Sequence, residues 1–234
     1  MSDPFSAETN KEIELGQERI RCRECGTGRP VLFVHGFLVD GNLWRKPVAE
    51  LAGELRCIVP DWPLGSHRVP MKTRAAQSPR GVARLVVEFM DALELDEVVL
   101  VGNDSGGAIC QLVVTDHPER VSHLVLTPCD ACENFPPKLL PYLKWLGSIP
   151  GGVFVVVRSL RVGALRRLPI AFGLATKRPI DDVDFPHARL EVVSDSYTFI
   201  AEDLPTVLAG LVKDFLSPSR TPDRENGSES QAYG

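Results

Sequence analysis

The sequence contains no long apolar run, no surplus of basic residues and no leader-like opening. No stretch of its 234 residues approaches the ~20 apolar residues that a membrane-spanning helix needs, which argues against an integral membrane protein. Its 26 basic residues are outnumbered by 31 acidic ones, so neither nucleic acid nor an anionic membrane is expected as a partner. Because the first residues have no basic n-region and no apolar h-region, we expect a cytoplasmic protein.

The six cysteines include two Cys-x-x-Cys spacings, formed by Cys22 with Cys25 and by Cys129 with Cys132. Four thiolates at such intervals could ligate zinc, but the two pairs lie far apart along the chain. Cys57 and Cys110 stand inside apolar stretches and are predicted to be small core side chains. Disulfides are rare in a reducing compartment, so the sequence predicts neither a metal site nor a disulfide.

Short apolar runs alternate with helical patterns along the first half of the chain. The runs that read as buried strands are Val31–Val34, Cys57–Val59, Glu97–Val101 and Val121–Leu126. Helical spacing of apolar residues separates them, at residues 43–55, 78–93 and 108–116, and Ser78 with Pro79 forms a helix start. Repeated strand–helix–strand units predict a mostly parallel sheet covered by helices.

The pattern predicts one α/β domain over residues 18–216. An N-terminal extension, residues 1–17, precedes it, and the tail 217–234 is predicted to be disordered because Ser, Pro, Gly and charge leave little to bury. Residues 131–181 interrupt the alternation and are expected to form a short helical lid. A strand signal returns at residues 189–193, and a helix at about 204–216 closes the domain.

The strongest chemical signal is the sequence Gly102-Asn103-Asp104-Ser105-Gly106-Gly107, which lies directly between a strand and a helix. A sharp strand-to-helix turn strains its central residue, so the flanking positions must be small. The turn would present Asp104 at the carboxyl end of the sheet and at a helix N-terminus, which favours an anion. The alternative is a tight-packing turn or a phosphate loop, but the dinucleotide glycine spacing and the P-loop lysine are both missing.

A second turn, His35-Gly36-Phe37, also follows a buried strand. Together the two turns resemble those of the α/β-hydrolase fold, and the likeness covers residues 18–130 and 187–216. The chain is similar to bacterial α/β hydrolases with a Gly-Asn-Asp-x-Gly-Gly turn, which are related to epoxide hydrolases and haloalkane dehalogenases. The resemblance implies oxyanion donors in the backbone N–H groups of Phe37 and Ser105, with His35 and Gly36 shaping the oxyanion turn.

The same resemblance implies that Asp104 attacks carbon to form an ester, which a His-activated water then hydrolyses. Here the pattern breaks, because Thr198 takes the position where the family has its histidine. The family's acid follows the penultimate strand, and no apolar strand with such a turn occurs between Leu126 and Arg189. A segment near residues 179–185 looks lost.

Two residues could take over the missing roles. Asp130 follows a predicted strand at a place where some relatives carry their acid, although a loop or cap role fits it equally. His67 lies in the loop after the third apolar strand and could reach the site mouth as a base. This chain also lacks residues that the two named activities use. Dehalogenases of this fold place Trp where Ser105 stands, and epoxide hydrolases use two lid tyrosines where only Tyr142 is available.

These observations predict a hydrolase that acts on a small, largely apolar molecule through Asp104. No metal or organic cofactor is implied, and a homodimer is possible. The rival hypothesis is a non-catalytic hydrolase-fold protein that binds a ligand or partner without a working base. A third hypothesis is that the lost segment leaves the fold incomplete.

Overall fold

The computed structural model describes residues 10–129, residue 193 and residues 199–217. The strands in these ranges are β1 (Asn10–Leu15), β2 (Glu18–Cys25), β3 (Arg29–Val34), β4 (Leu55–Pro60), β5 (Val98–Gly102) and β6 (Val121–Leu126). The α-helices are α1 (Arg45–Leu51), α2 (Pro79–Ala92), α3 (Ser105–Asp116), α4 (Ile200–Asp203) and α5 (Pro205–Leu216). The same ranges contain 3₁₀ helices at Gly41–Trp44, Ala75–Gln77 and Pro118–Arg120.

The six strands form one sheet in the order β1-β2-β4-β3-β5-β6. Strands β4, β3, β5 and β6 run parallel to one another, whereas β1 and β2 pair antiparallel and β2 joins β4 antiparallel. Val34 at the end of β3 is in register with Gly102 at the end of β5. The turns that follow these two strands therefore leave the sheet side by side.

The core has two parts, one on each face of the sheet. Along β3, Leu32 and Val34 belong to the part that contains α2 and α3, while Val31 and Phe33 belong to the part that contains α1 and α5. This alternation is the period of two that a strand imposes on its side chains. Because β3 is buried on both faces, its sequence is a continuous apolar run.

The apolar runs predicted as strands lie in β3, β4, β5 and β6 to within one residue. The predicted start of α2 is confirmed, since Ser78 Oγ accepts a hydrogen bond of 3.0 Å from the Gly81 N–H and Pro79 is the first helical residue. A mostly parallel sheet flanked by helices, the predicted fold class, is thus the observed one.

Three element boundaries differ from the sequence prediction. The expected N-terminal extension contains β1, because Ile13 and Leu15 alternate with charged residues and pack on the core, so the sheet begins before Glu18. The helix expected over residues 43–55 is a 3₁₀ helix followed by α1, and Leu55 already belongs to β4. Helix α3 begins at Ser105 rather than at Ala108, since Asp104 caps it.

Several predictions concern residues outside the described ranges: Asp130, Thr198, the lid at 131–181, most of the strand at 189–193 and the tail beyond residue 217. They stay predictions. Among the described helices, none combines the length and the apolar character that crossing a membrane requires.

Candidate active site

The backbone of Asp104 lies in a conformation that L-residues rarely adopt, with φ 53° and ψ −133°. The neighbouring glycines make this turn possible. A Cβ on Gly106 would lie 2.4 Å from the carbonyl oxygens of Val34 and His35, and a Cβ on Gly102 would lie 2.8 Å from Cys110 Sγ. The close approach of α3 to β3 and β5 therefore requires glycine on both sides of Asp104.

Hydrogen bonds fix both the backbone and the carboxylate of Asp104. Its N–H donates to the Pro128 carbonyl at 2.9 Å, and its carbonyl accepts from the Gly107 N–H at 3.0 Å. Its Oδ1 accepts from the Ser105 N–H at 2.6 Å. The carboxylate thus caps α3. It already accepts a hydrogen bond from the Ser105 N–H, one of the two amides predicted as oxyanion donors.

A buried hydrogen-bonded pair, Asn103 and Thr127, which we call the brace, stabilises the turn at Asp104. The Asn103 N–H donates to Val34 O at 3.1 Å, and Asn103 Nδ2 donates to Thr127 Oγ1 at 3.0 Å. Thr127 Oγ1 donates in turn to Gly102 O at 3.0 Å. Both side chains are buried. The sequence analysis missed this brace, although an amide next to the strained residue of a turn was a signal that could have suggested it.

The structure brings the turn after β3 into contact with Asp104. A Cβ on Gly36 would lie 2.6 Å from Asp104 Cβ and 2.9 Å from both Asp104 Cγ and Asp104 Oδ2. Gly36 therefore forms one wall of the carboxylate site. The sequence placed these two turns together only by resemblance, and the register of β3 with β5 is the physical reason that they meet.

Phe37 follows Gly36 and is 40% exposed. Its backbone N–H makes no hydrogen bond within the described part of the chain. The next residue, Leu38, has a φ of 63° and donates its N–H to Leu64 O at 2.9 Å. The hydrogen bond of Leu38 thus holds the turn, while the N–H of Phe37 remains able to donate to a ligand.

His35 is fully buried, with both ring nitrogens engaged. Its Nε2 accepts from the Trp62 N–H at 2.8 Å, so the hydrogen bonds assign the proton to Nδ1, which donates to Gly36 O at 2.9 Å. Burial lowers the pKa of His35 by more than its hydrogen bond to Gly36 raises it. A neutral, fully buried ring is thus placed to hold the oxyanion turn in position.

His67 lies half-buried in the loop after β4. That loop packs on the oxyanion turn, since a Cβ on Gly65 would lie 3.2 Å from Leu38 Cδ2. His67 Nδ1 is buried without a hydrogen-bond partner among the described residues, and burial lowers the pKa of this ring. Among the described residues no hydrogen bond joins His67 to Asp104, although both follow strands at the carboxyl end of the sheet.

Exposed apolar side chains surround this edge of the sheet. Leu38 is 48% exposed and Leu126 is 42% exposed. Leu126 Cδ2 lies 3.6 Å from the Cβ position of Gly107, in the first turn of α3. Leu38 and Leu126 thus expose apolar area beyond the ends of β3 and β6.

A cleft of about 340 Å³ opens beside the oxyanion turn. Leu38 and Val39 form its apolar side, and Arg45, which is paired with Glu202, forms part of its charged side. Neither Asp104 nor Phe37 lines the cleft. The cleft therefore lies beside the segment that follows the oxyanion turn and does not include Asp104.

The five cysteines in the described residues are free thiols. Cys57 and Cys110 are completely buried, which confirms that they are core side chains. Burial raises the pKa of Cys57 to about 12 and that of Cys110 well above its ordinary value. No group of three or more potential ligands lies close enough to hold a metal ion within residues 10–129, 193 and 199–217.

Comparison with known proteins agrees with the fold. A model of the alpha/beta hydrolase fold matches residues 29–152. The 2-hydroxymuconate semialdehyde hydrolase of Pseudomonas sp. strain CF600 is 36% identical over 125 residues, which cover 52% of this chain and 44% of that protein. Haloalkane dehalogenase 2 of Mycobacterium tuberculosis is 33% identical over 114 residues, which cover 49% of this chain and 40% of that protein. The chain thus matches less than half the length of these relatives.

Solved structures show the same fold. Est816, described as an N-acyl homoserine lactone degrading enzyme, superposes with a TM-score of 0.63 at 23% identity and covers 88% of this chain and 100% of its own. The ligand-free epoxide hydrolase CorEH superposes with a TM-score of 0.55 at 24% identity and covers 68% of this chain and 58% of its own. At these identities the likeness concerns the fold alone.

Proposed function

Because the chain belongs to the α/β-hydrolase fold family, we propose that it is a hydrolase in which Asp104 is the nucleophile. The observation that carries this proposal is the strained backbone of Asp104, with φ 53° and ψ −133°, at a turn between a strand and a helix. Strain of this kind clusters at active sites. The N-terminus of α3 favours the ionised carboxylate, and a carboxylate that is already ionised attacks carbon without a base.

In the first step Asp104 Oδ2 forms a bond to a saturated carbon of the substrate. Oδ1 stays on the Ser105 N–H and becomes the carbonyl oxygen of the new ester. The bond from that carbon to its leaving group breaks, and the electron pair departs with the leaving group. The leaving group is a halide ion or, from an epoxide, an alkoxide that takes a proton from water.

In the second step a water molecule gives a proton to a base while its oxygen adds to Asp104 Cγ. The negative charge that develops on Oδ1 is stabilised by the N–H groups of Ser105 and Phe37. The carbonyl then re-forms and the Cγ–Oδ2 bond breaks. The former Oδ2 leaves on the product, which takes the proton from the base and departs as an alcohol. The water oxygen replaces Oδ2 in the carboxyl group of Asp104, which releases its remaining proton to solvent. We assign the base to His67, whose loop packs on the oxyanion turn, and keep Asp130 as the candidate acid.

The substrate class follows from the nucleophile and from the surface next to it. Attack by a carboxylate requires an electrophilic carbon, as in an alkyl halide or an epoxide. Phe37, Leu38 and Leu126 expose apolar area at the same edge of the sheet, which suits a small, largely apolar molecule. The similarity to haloalkane dehalogenase 2 supports the halide member of this class.

The experiment that tests the nucleophile is intact-mass spectrometry after incubation with bromobutane or styrene oxide. We expect one adduct per chain, mapped to Asp104, or turnover with release of bromide or diol. Asp104→Asn should abolish both, whereas Asp116→Asn, an exposed residue at the far end of the same helix, should behave like the wild type. An adduct on another residue, or an equal signal from Asp104→Asn, would contradict the proposal.

The assignment of His67 is tested in the same assay. If His67 is the base, wild-type protein turns over and His67→Ala accumulates the Asp104 ester, because only the second step needs a base. His117→Ala is the matched control, since His117 is exposed at the C-terminal end of α3. Equal turnover of His67→Ala and wild type would exclude His67.

The second candidate function is ligand binding without catalysis. It is favoured by His67 Nδ1, which has no hydrogen-bond partner among the described residues, and by Thr198 at the family's histidine position. In that case a broad panel of esters, epoxides and haloalkanes gives neither adduct nor turnover, while apolar ligands still raise the melting temperature. Cytoplasmic location and a homodimer remain predictions under either function.

A further inference from the structure

A buried ion pair lies beneath the oxyanion turn. Arg23 projects from β2 and Asp61 directly follows β4; their side chains are only 5% and 3% exposed, and Arg23 Nη2 lies 2.6 Å from Asp61 Oδ1. Replacing a buried ion pair with apolar residues of similar volume is often neutral or stabilising. Stability alone therefore gives little reason for this pair.

The pair is bonded to the segment that follows the oxyanion turn. Asp61 Oδ1 also accepts from the Gly41 N–H at 3.0 Å, and Arg23 Nη1 donates to Asn42 Oδ1. A Cβ on Gly41 would lie 2.5 Å from Arg23 Nη2 and 3.0 Å from Asp61 Oδ1. The backbone at Gly41 thus fits closely against both charged groups.

Three anchors hold residues 35–41, and all three come from the short segment after β4. The Trp62 N–H donates to the His35 ring, and Leu64 O accepts from the Leu38 N–H. Asp61 holds Gly41 as the third anchor. Gly36 and Phe37 lie between the first two anchors, so the position of residues 61–64 sets the wall of the Asp104 carboxylate and the direction of the Phe37 amide.

We propose that Arg23 and Asp61 are positioning residues that fix the oxyanion turn against Asp104. Asp61 acts through its hydrogen bond to Gly41, and Arg23 orients the Asp61 carboxylate through the ion pair. The effect on catalysis rests on the proposed function. The effect on the turn does not, and the two are measured separately.

The test compares two double variants that both remove the charges. Arg23→Met with Asp61→Asn keeps a side-chain oxygen for the Gly41 N–H, whereas Arg23→Met with Asp61→Leu does not. With styrene oxide as the probe, we expect the maximal rate of Asp104 modification to be about tenfold or more lower in the Leu variant, since small misplacements of reacting groups cost rate. The half-saturating concentration should stay the same, because the apolar contacts of the probe are unchanged.

Amide hydrogen exchange gives a second readout that needs no activity. Peptides covering residues 35–42 should exchange faster in the Leu variant than in the Asn variant, while peptides from α2 exchange alike in both. Urea unfolding verifies that both proteins fold; if the Leu variant does not, Arg23→Met with Asp61→Ala takes its place.

The two proposals fail in different ways. Equal modification rates and equal exchange in the two variants would overturn the positioning role, whatever the wild type does. Wild-type protein without adduct or turnover refutes the proposed function, and exchange at residues 35–42 then decides the positioning role alone. A third outcome also overturns the proposal. If the half-saturating concentration of styrene oxide rises in the Leu variant as much as the modification rate falls, and amide exchange at residues 35–42 is no faster, the pair acts on binding of the probe.

Discussion

At the scale of single residues, the site depends on how closely Gly36 approaches Asp104. The Cβ of an alanine at position 36 would meet Asp104 Cβ at 2.6 Å and Oδ2 at 2.9 Å, distances at which one of the two turns must shift. We expect Gly36→Ala to lower the rate of Asp104 modification by about tenfold or more, because the carboxylate leaves its aligned position.

Gly53→Ala is the matched control for this substitution, since a Cβ there would meet nothing within 4 Å. Both variants should remain folded, and circular dichroism with intact-mass kinetics on the same samples separates misfolding from misalignment. An unchanged rate of Asp104 modification in a folded Gly36→Ala protein would show that the turn is flexible enough to accept the Cβ and does not orient Asp104.

At the scale of elements, the ends of β5 and β6 are joined by the buried brace of Asn103 and Thr127. Thr127→Val removes the acceptor of Asn103 Nδ2 and the donor to Gly102 O. Asn103 Nδ2 keeps a hydrogen bond of 3.3 Å to Pro128 O, and Gly102 O keeps the one from the Thr127 N–H. The variant therefore loses two hydrogen bonds, each with a net value of about 0.5–1.5 kcal/mol, and the free energy of unfolding measured in urea should fall by about 1–3 kcal/mol. Thr127→Ser keeps the hydroxyl and should recover most of the loss; a loss in Thr127→Ser as large as that in Thr127→Val would contradict a stabilising role of the hydroxyl.

The same elements show what the sequence could and could not predict. Strands β3 and β5 were predicted because burial on both faces leaves a continuous apolar run, and the Asp104 turn was predicted because its glycines are adjacent in sequence. The bond between Arg23 and Asp61, and the one between His35 and Trp62, join residues far apart along the chain. No local pattern encodes such pairs, so the anchors of the site became visible only in the fold.

Strand β1 was missed for a different reason. Its only core contacts come from Ile13 and Leu15, and its other residues are exposed. Two apolar residues among charges give a weak period-two signal, and the strand forms because β2 offers it an unpaired edge with six registered partners. Tertiary context thus decided an assignment that local propensity left open.

At the scale of the whole molecule, pH acts on stability through groups whose pKa values change on folding. Burial lowers the pKa of His35 below its ordinary value of 6.5, so below that pH the unfolded chain binds a proton that the folded protein does not. Stability therefore falls as pH drops from about 6.5 towards the folded pKa of His35. For Glu18, burial raises the pKa, but hydrogen bonds from Lys72 and Thr73 outweigh it and leave the pKa below 4.5. The stability that Glu18 contributes is therefore lost as the pH falls through the pKa that Glu18 has in the folded protein.

These two groups predict a stability profile with separate declines. We expect the urea midpoint of the wild-type protein to be flat between about pH 7 and 8 and to begin to fall below about pH 6.5, because His35 is a buried imidazole that must gain a proton while it accepts from the Trp62 N–H. His35→Gln cannot take up that proton and should show a shallower first decline, although its midpoint at neutral pH is lower; the remaining slope comes from His67 and His123, whose pKa values burial also lowers. His117→Gln, which changes an exposed ring, should keep the wild-type slope. If His35→Gln declines in parallel with the wild type, the oxyanion turn is not the pH-sensitive part of this fold.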